Sequence, residues 1–243
     1  MLVYDHNQLA APELLIPRAK PVGSVIVNQE KFSAPVRWVI FPEQKHGVIG
    51  GRSTAVFLSN ASETYNYPKV VDSNLGMYFS RVNDDVQFTA STAMSINQSF
   101  CLLVDFFLTQ TPAGAYQFIW GANGTSYFSV APRHATASYY LMSSVAGVIA
   151  SSGVSCGIGR YTVLVRRAID KVSIFLNGVK TAASATSGGA CGGTIAVFNA
   201  YAPATGTGLP GPVVFMSAIF DGALSDSECL SLTLDPYSML QAI

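Results

Sequence analysis

The acidic residues of this sequence do not form the pattern that cleavage of a glycosidic bond uses. That chemistry needs two carboxylates at a fixed separation across the bond. No glutamate stands two or five positions from another acid in a strand context; the five are Glu13, Glu30, Glu43, Glu63 and Glu228. A Ser-His-Asp site would depend on three scattered histidines, which are His6, His46 and His134. We therefore predict that the protein is not an enzyme.

Metal-binding patterns are also missing from the sequence. The four cysteines show neither a CxxC pair nor zinc spacing to a histidine; they are Cys101, Cys156, Cys191 and Cys229. We interpret them as reduced, mostly buried thiols that pack as small hydrophobic groups. The best run for calcium, Asn83-Asp84-Asp85, supplies too few oxygen ligands and suits a solvated turn. We predict no cofactor and no bound metal.

Aromatic residues offer a second kind of chemistry, the stacking of sugar rings. The candidates are Trp38, Trp120, Tyr65, Tyr67, Tyr139, Tyr140 and Tyr201. The stretch "ETYNYPK", residues 63–69, is polar and loop-like and carries Tyr65 and Tyr67. These two tyrosines are predicted to contact a glycan or, alternatively, a neighbouring subunit, because tyrosine is enriched at interfaces.

The composition limits the partners of the chain. Charged residues make up 12% of the 243 residues and the formal net charge is zero, so a basic footprint for nucleic acid is missing. No apolar run approaches the length of a membrane span, and Asp5 stands where a signal peptide has basic residues. We expect a protein kept in a cytosol or built into a particle assembled there. Its neutral surface is either covered by other subunits or rich in serine and threonine.

The elements that position these residues are predicted to be strands. After a proline-rich extended arm over residues 1–35, alternating or wholly apolar segments with turn signals every 8 to 15 residues fill the chain, as in a sandwich or jelly roll. The run "FCLLVDFFLT", residues 100–109, suits a strand buried on both faces. Two hairpin turns are predicted at Asn123-Gly124 and Asn177-Gly178, because both residue types tolerate positive φ.

One short helix is predicted near the C-terminus, within "FDGALSDSECLSLTLDPYSMLQ" at residues 220–241. Ser225 and Glu228 match a capping box, and Leu224 with Cys229 matches a hydrophobic staple. Pro236 disfavours helical backbone at the residue before it, so about two helical turns fit between Ser225 and Pro236. This assignment gives Glu228 a structural role and removes it from the candidate acids.

Four stretches in order resemble the concanavalin A-like superfamily in its laminin-G-like branch. They are "GMYFSRVNDDVQFTA", "SFCLLVDFFL", "GRYTVLVRRAIDKVSIFLNGVKTAAS" and "AIFDGALSDSECLSLTLDPYSMLQ". The resemblance implies an all-β fold: a two-sheet antiparallel jelly-roll sandwich over residues 36–243, with one short C-terminal helix. Tyr161 stands where the branch usually has a tryptophan.

The closing "LDPYSML" and the proline-rich lead-in resemble domains of this branch in tailed-bacteriophage structural proteins. This likeness implies a non-enzymatic virion component, either a capsid decoration or a tail-associated protein, that contacts other virion proteins and forms a homo-oligomer. The alternative is a carbohydrate-binding module for receptor recognition, whose partner would be a host surface glycan. Neither hypothesis involves nucleic acid or membrane insertion.

Overall fold

Two antiparallel β-sheets make up most of the part of the chain that the computed structural model describes. Those residues are 25–41, 46–49, 52–55, 58–59, 66–71, 74–79, 86–88, 99–109, 120–122, 128–133, 138–143, 147–151, 157–168, 171–185, 195–197 and 212–242. In chain order the strands are β1 (Val25–Val27), β2 (Val36–Phe41), β3 (His46–Ile49), β4 (Arg52–Ala55), β5 (Leu58–Ser59), β6 (Asn66–Val71), β7 (Asn74–Phe79), β8 (Val86–Phe88), β9 (Phe100–Leu108), β10 (Trp120–Ala122), β11 (Phe128–Arg133), β12 (Ser138–Ser143), β13 (Gly147–Ser151), β14 (Gly159–Ala168), β15 (Lys171–Leu176), β16 (Val179–Ala185), β17 (Ile195–Val197), β18 (Pro212–Phe220) and β19 (Leu240–Ala242).

The larger sheet has ten strands in the order β16-β15-β14-β9-β18-β2-β3-β4, with β6 and β7 attached through β18. The smaller sheet has seven strands in the order β13-β12-β11-β10-β17-β8-β5. Every strand pair in both sheets is antiparallel. The fold class is therefore the predicted all-β, two-sheet antiparallel jelly-roll sandwich.

The ten-stranded sheet is buried on both faces around its central strand β9. Eight of the nine β9 residues are buried, and Phe107 is partly buried, as the apolar run predicted. Leu102, Val104 and Phe106 lie on one face, here named the sandwich-side face. Cys101 and Leu103 lie on the other and belong to one apolar cluster with Leu224, Cys229, Leu232, Tyr237 and Met239. We name that second face the helix-side face.

The C-terminal segment covers the helix-side face. It consists of helix α1 (Asp226–Leu234), a 3-10 helix (Pro236–Met239) and β19. Pro236 takes the first position of the 3-10 helix, and the Asp235 side chain accepts a hydrogen bond from the Tyr237 backbone N–H at 3.1 Å. Helix α1, the one α-helix within the described residues, thus ends where the proline predicted.

The end of the predicted arm joins this C-terminal segment. Strand β1 pairs with β19, and the Asn28 N–H donates to the Met239 carbonyl at 2.8 Å. Val27 and Ala34 enter the same apolar cluster as helix α1. Residues 25–35 therefore lie against the sandwich, while residues 1–24 are outside the described residues. The division of the chain at residue 35 stays a prediction.

Strands that are neighbours in the sequence do not always share a sheet. Strand β4 belongs to the ten-stranded sheet and β5 to the seven-stranded sheet, and β7 and β8 are likewise in different sheets. Residues 66–69, predicted as loop, are part of β6. Such short segments carry too little alternation to identify a partner, because register depends on the buried face of the neighbouring strand.

The second predicted hairpin turn is present and has the expected backbone. Asn177 has φ of 47° and Gly178 has φ of 80°, and Leu176 pairs with Val179 across the two-residue turn. Positive φ at both central positions matches the right-handed twist of the two strands. The first predicted turn, Asn123-Gly124, lies outside the described residues, between β10 and β11, which pair antiparallel.

We expect Gly178→Ala to lower the free energy of unfolding by about 1 kcal/mol, because an L side chain is strained at this positive φ. The added Cβ would also collide with the Leu234 side chain, but Leu234 is largely exposed and can move away. Urea denaturation followed by circular dichroism measures the change. Gly157→Ala is the control, since its nearest neighbouring atom would be 4.0 Å away. Equal losses in the two variants would contradict the role given to the turn.

Candidate functional site

A buried carboxylate lies at the centre of the first polar cluster, here named the Asp105 cluster. Asp105 is fully buried on the helix-side face of β9. Arg160 donates to both carboxylate oxygens, from Nε at 3.0 Å and from Nη2 at 2.7 Å. Thr162 Oγ1 and Tyr237 Oη donate at 3.3 Å each. The Arg160 guanidinium also lies 5.1 Å from the centre of the Phe215 ring.

The Asp105 cluster joins three elements through one charged group. Asp105 belongs to β9, Arg160 and Thr162 to β14, and Tyr237 to the C-terminal 3-10 helix. A buried carboxylate is tolerated when it is paired and hydrogen-bonded, and a two-pronged arginine contact also fixes geometry. Four donors occupy its oxygens, so Asp105 is not available to activate a water or protonate a leaving group. The cluster has a structural role.

The second polar cluster, the Glu228 cluster, lies at the start of helix α1. The Ser225 N–H donates to Glu228 Oε2 at 2.7 Å and the Glu228 N–H donates to Ser225 Oγ at 3.3 Å, which together form the capping box. Ser33 donates to the same carboxylate from its backbone N–H at 2.6 Å and from its hydroxyl at 2.7 Å. The helix cap therefore also holds the segment between β1 and β2.

The environment of Glu228 stabilises its charged form. Partial burial alone would raise the pKa of Glu228, but hydrogen bonds from Ser225 and Ser33 outweigh it and lower the pKa from 4.5 to about 2. The positive end of the helix dipole acts in the same direction. Glu228 thus remains an anion near neutral pH, and its oxygens are occupied by protein donors. Like Asp105, it is a structural acid.

Two short strings in the sequence have the form of catalytic motifs, so the expectation that neither motif is present in the sequence is wrong. Gly153-Val154-Ser155-Cys156-Gly157 has the Gly-x-Ser-x-Gly form, and 206–211, "GTGLPG", has the Gly-x-Gly-x-x-Gly form. The hydrolase motif needs a strand-to-helix turn, and the dinucleotide motif must open a helix. Strand β14 follows the first string and strand β18 follows the second. Neither string has the context that its chemistry requires.

The predicted glycan or interface residues are only partly placed. Tyr67 is in β6 and pairs with Tyr78 on β7, while Tyr65 lies outside the described residues. The calcium candidate at 83–85 also lies outside them. Among the residues that the structure describes, no three His, Cys, Asp or Glu side chains are grouped to hold a metal ion. No described helix combines the length and apolar character needed to cross a membrane.

The register of the seven-stranded sheet separates its residues into two faces. One row of paired positions crosses six strands and is almost wholly apolar: Val86, Val197, Trp120, Val130, Leu141 and Ala150. Because successive residues of a strand alternate between faces, Tyr140 belongs to the other face. We name that face the Tyr140 face; by register it also carries Ser59, Gln87, Ala196, Gly121, Ser129, Ala131, Arg133, Ser138, Met142, Val148 and Ser151.

Solved structures share this fold over most of the chain. Domain 4 of AbnA, a GH43 extracellular arabinanase from Geobacillus stearothermophilus solved in complex with arabinotriose, aligns with a TM-score of 0.61 and 13% identity, covering 82% of this chain and 98% of the domain. The binding domain of Paraclostridial Mosquitocidal Protein 1 aligns with a TM-score of 0.61 and 12% identity, covering 83% of this chain and 52% of that one. Trypanosoma rangeli sialidase in complex with sialic acid aligns with a TM-score of 0.53 and 14% identity, covering 79% and 35%.

These likenesses establish the β-sandwich fold. No protein-family model matches the chain, and no curated protein matches its sequence. The chain spans about half of the mosquitocidal binding domain and about a third of the sialidase. None of the three structures supports the expected phage origin, so the virion assignment stays a prediction.

We expect Asp105→Asn to lower the free energy of unfolding by about 3 kcal/mol, because it leaves the Arg160 charge without its counter-ion. Asp226→Asn is the matched control. Asp226 forms ion pairs with Arg166 and Lys180 but is half exposed, so its loss should cost less than about 1 kcal/mol. Urea denaturation of both variants checks the difference. Similar losses would contradict the central position given to Asp105.

We expect Glu228→Gln to destabilise the protein near neutral pH and to matter less in acid. A depressed pKa in the folded state stabilises the protein above the unfolded pKa of 4.5, and that stabilisation is lost as the pH falls towards about 2. The difference in free energy of unfolding between wild type and variant should therefore shrink between about pH 5 and about pH 2. Glu30→Gln, at an exposed glutamate, is the control. A pH-independent difference would contradict the assignment.

Proposed function

We propose that this chain is a non-catalytic carbohydrate-binding module with a β-sandwich fold. The observation that carries the proposal is the match to domain 4 of the arabinanase. That match covers 98% of a domain whose structure holds arabinotriose. A likeness over a whole ligand-bound domain supports a binding role more than a likeness to a fragment would. Fold alone does not fix function, so the binding surface of this chain must be argued from its own residues.

The Tyr140 face is the surface that we propose for the sugar. A sandwich packs the apolar faces of its two sheets together, so the apolar row through Trp120 suits the interior and leaves the Tyr140 face for a ligand. Tyrosine presents an apolar ring with a polar end. Around Tyr140, the register places the small residues Ala131 and Ser151 on neighbouring strands.

The remaining residues of this face supply polar groups without acids. Ser129, Ser138 and Gln87 can donate and accept hydrogen bonds, and Arg133 donates from a fixed fork. Hydroxyl-rich ligands need such groups in a few defined positions. The face carries no carboxylate among the described residues, and the Asp105 and Glu228 carboxylates are occupied elsewhere. Binding without cleavage is the function that this distribution favours.

The virion structural role predicted from the sequence is the second candidate. The 12% share of charged residues favours it, because charged residues are depleted where subunits cover a surface. The two candidates differ in what covers the neutral surface: sugar in one, neighbouring chains in the other. Light scattering of the purified protein and a test of its association with virions separate the two candidates. A protein that is monomeric and does not associate with virions removes the second candidate.

We expect the folded protein to bind immobilised glycans, with arabino-oligosaccharides as the first class to measure by calorimetry. Tyr140→Ala should weaken binding by about tenfold or more, the usual effect of removing a central aromatic contact. Tyr67→Ala, on the ten-stranded sheet, is the matched control and should bind like wild type. No reducing sugar should be released during the incubation.

The outcomes of this experiment are distinct. Loss of binding in Tyr67→Ala but not in Tyr140→Ala would move the site to the other sheet. A folded wild-type protein that binds no glycan on a broad array would overturn the proposal. Release of reducing sugar would overturn its non-catalytic part.

A further inference from the structure

Two free cysteines meet between helix α1 and the central strand β9. Cys101 is the second residue of β9, and Cys229 is in the first turn of α1. Both are fully buried, and each sulfur contacts the backbone of Leu224. They belong to the same apolar cluster beneath the helix.

The backbone of Leu224 holds the two thiols in place. Its N–H donates to Cys101 Sγ at 3.4 Å, and Cys229 Sγ donates to its carbonyl oxygen at 3.9 Å. Arg166 donates to the same carbonyl at 2.9 Å, which fixes the residue that contacts both sulfurs. Both sulfur atoms therefore lie against the backbone of one residue, just before the start of the helix. A cross-link between a strand residue and a helix residue restricts the freedom of the chain between them.

We propose that Cys101 and Cys229 are a dithiol that a low-molecular-weight disulfide oxidises to an intramolecular disulfide, which joins helix α1 covalently to strand β9. One cysteine thiolate attacks a sulfur of the oxidant and releases the first small thiol. The second cysteine attacks the mixed disulfide and releases the second small thiol. Two protein thiols are oxidised, one oxidant disulfide is reduced, and the two protons go to the departing thiols.

The closed structure slows this reaction. The thiolate is the reactive form of cysteine, and burial, followed by the hydrogen bond and charge of neighbouring Cys229, raises the pKa of the Cys101 thiol. An oxidant also has no direct path to two fully buried sulfurs. Oxidation must therefore proceed while helix α1 is displaced from the sheet. The Glu228 cluster opposes that displacement because it fixes the start of the helix.

The disulfide would close the C-terminal segment over the helix-side face. The segment already contacts β9 through Tyr237 and pairs with β1. A covalent bond at Cys229 adds a constraint at the opposite end of the same segment. The proposal is independent of carbohydrate binding, because the Tyr140 face belongs to the other sheet.

The test uses the full chain carrying Cys156→Ser and Cys191→Ser, so that only the two cysteines of interest remain. The protein is unfolded, then refolded in a buffer of reduced and oxidised glutathione, which gives the oxidant access to both thiols. We expect loss of both thiols, a mass lower by about 2 Da from the two hydrogens removed, and a peptide that joins Cys101 to Cys229. The oxidised form should unfold at a higher urea concentration than the reduced form.

Two controls keep the result decisive. A further Cys229→Ser substitution should abolish the cross-linked peptide. Peptide mapping of the refolded wild-type chain should find the same cross-link, which covers the case in which the double variant fails to fold.

In folded protein exposed to oxidised glutathione, Glu228→Gln should form the disulfide faster than wild type.

Three outcomes would overturn the proposal or part of it. Two free thiols after refolding, or two separate glutathione adducts, would show that the pair does not close. A disulfide between other cysteines of the wild-type chain would do the same. Equal rates in wild type and Glu228→Gln would overturn the role of helix opening.

Discussion

The burial of the helix-side face of the ten-stranded sheet is the constraint on which the rest of the structure depends. A sandwich normally buries one face of each sheet, but β9 is apolar along both faces. The seven-stranded sheet can cover only one of them. The C-terminal segment covers the other, and its position explains why a chain of strands ends in a helix, a 3-10 turn and a strand paired with β1.

The polar clusters define where that segment sits. Apolar contact is not directional, and a helix could slide along an apolar face at little cost. Asp105 and Glu228 prevent this, because each carboxylate has donors from separate parts of the chain: Arg160 and Tyr237 in one case, and Ser33 and Ser225 in the other. Two of the few acidic residues of this chain therefore have a structural role.

The sequence predicted the elements whose signals are local. The apolar run of β9, the turn at Asn177-Gly178 and the cap at Ser225 and Glu228 depend on neighbouring residues, and a single stretch shows them. It did not predict the sheet to which β5 or β8 belongs, because strand partners are distant in sequence. The Asp105 cluster was also missed. The sequence does show an aspartate inside the nine-residue apolar strand β9, which is unusual. Its partner Arg160 stands near the start of β14, and nothing in the sequence distinguishes it from other polar residues at strand ends.

The covering of one sheet also bears on where a ligand can bind. The helix-side face is occupied by the chain's own C-terminal segment around β9 and β14. The Tyr140 face, which we propose for the sugar, belongs to the other sheet. Its serine, glutamine and arginine residues are of the kinds that hydrogen-bond a hydroxyl-rich ligand. Under the proposed function the two sheets therefore differ in role, because the C-terminal segment covers a face of one sheet and the proposed sugar-binding face belongs to the other.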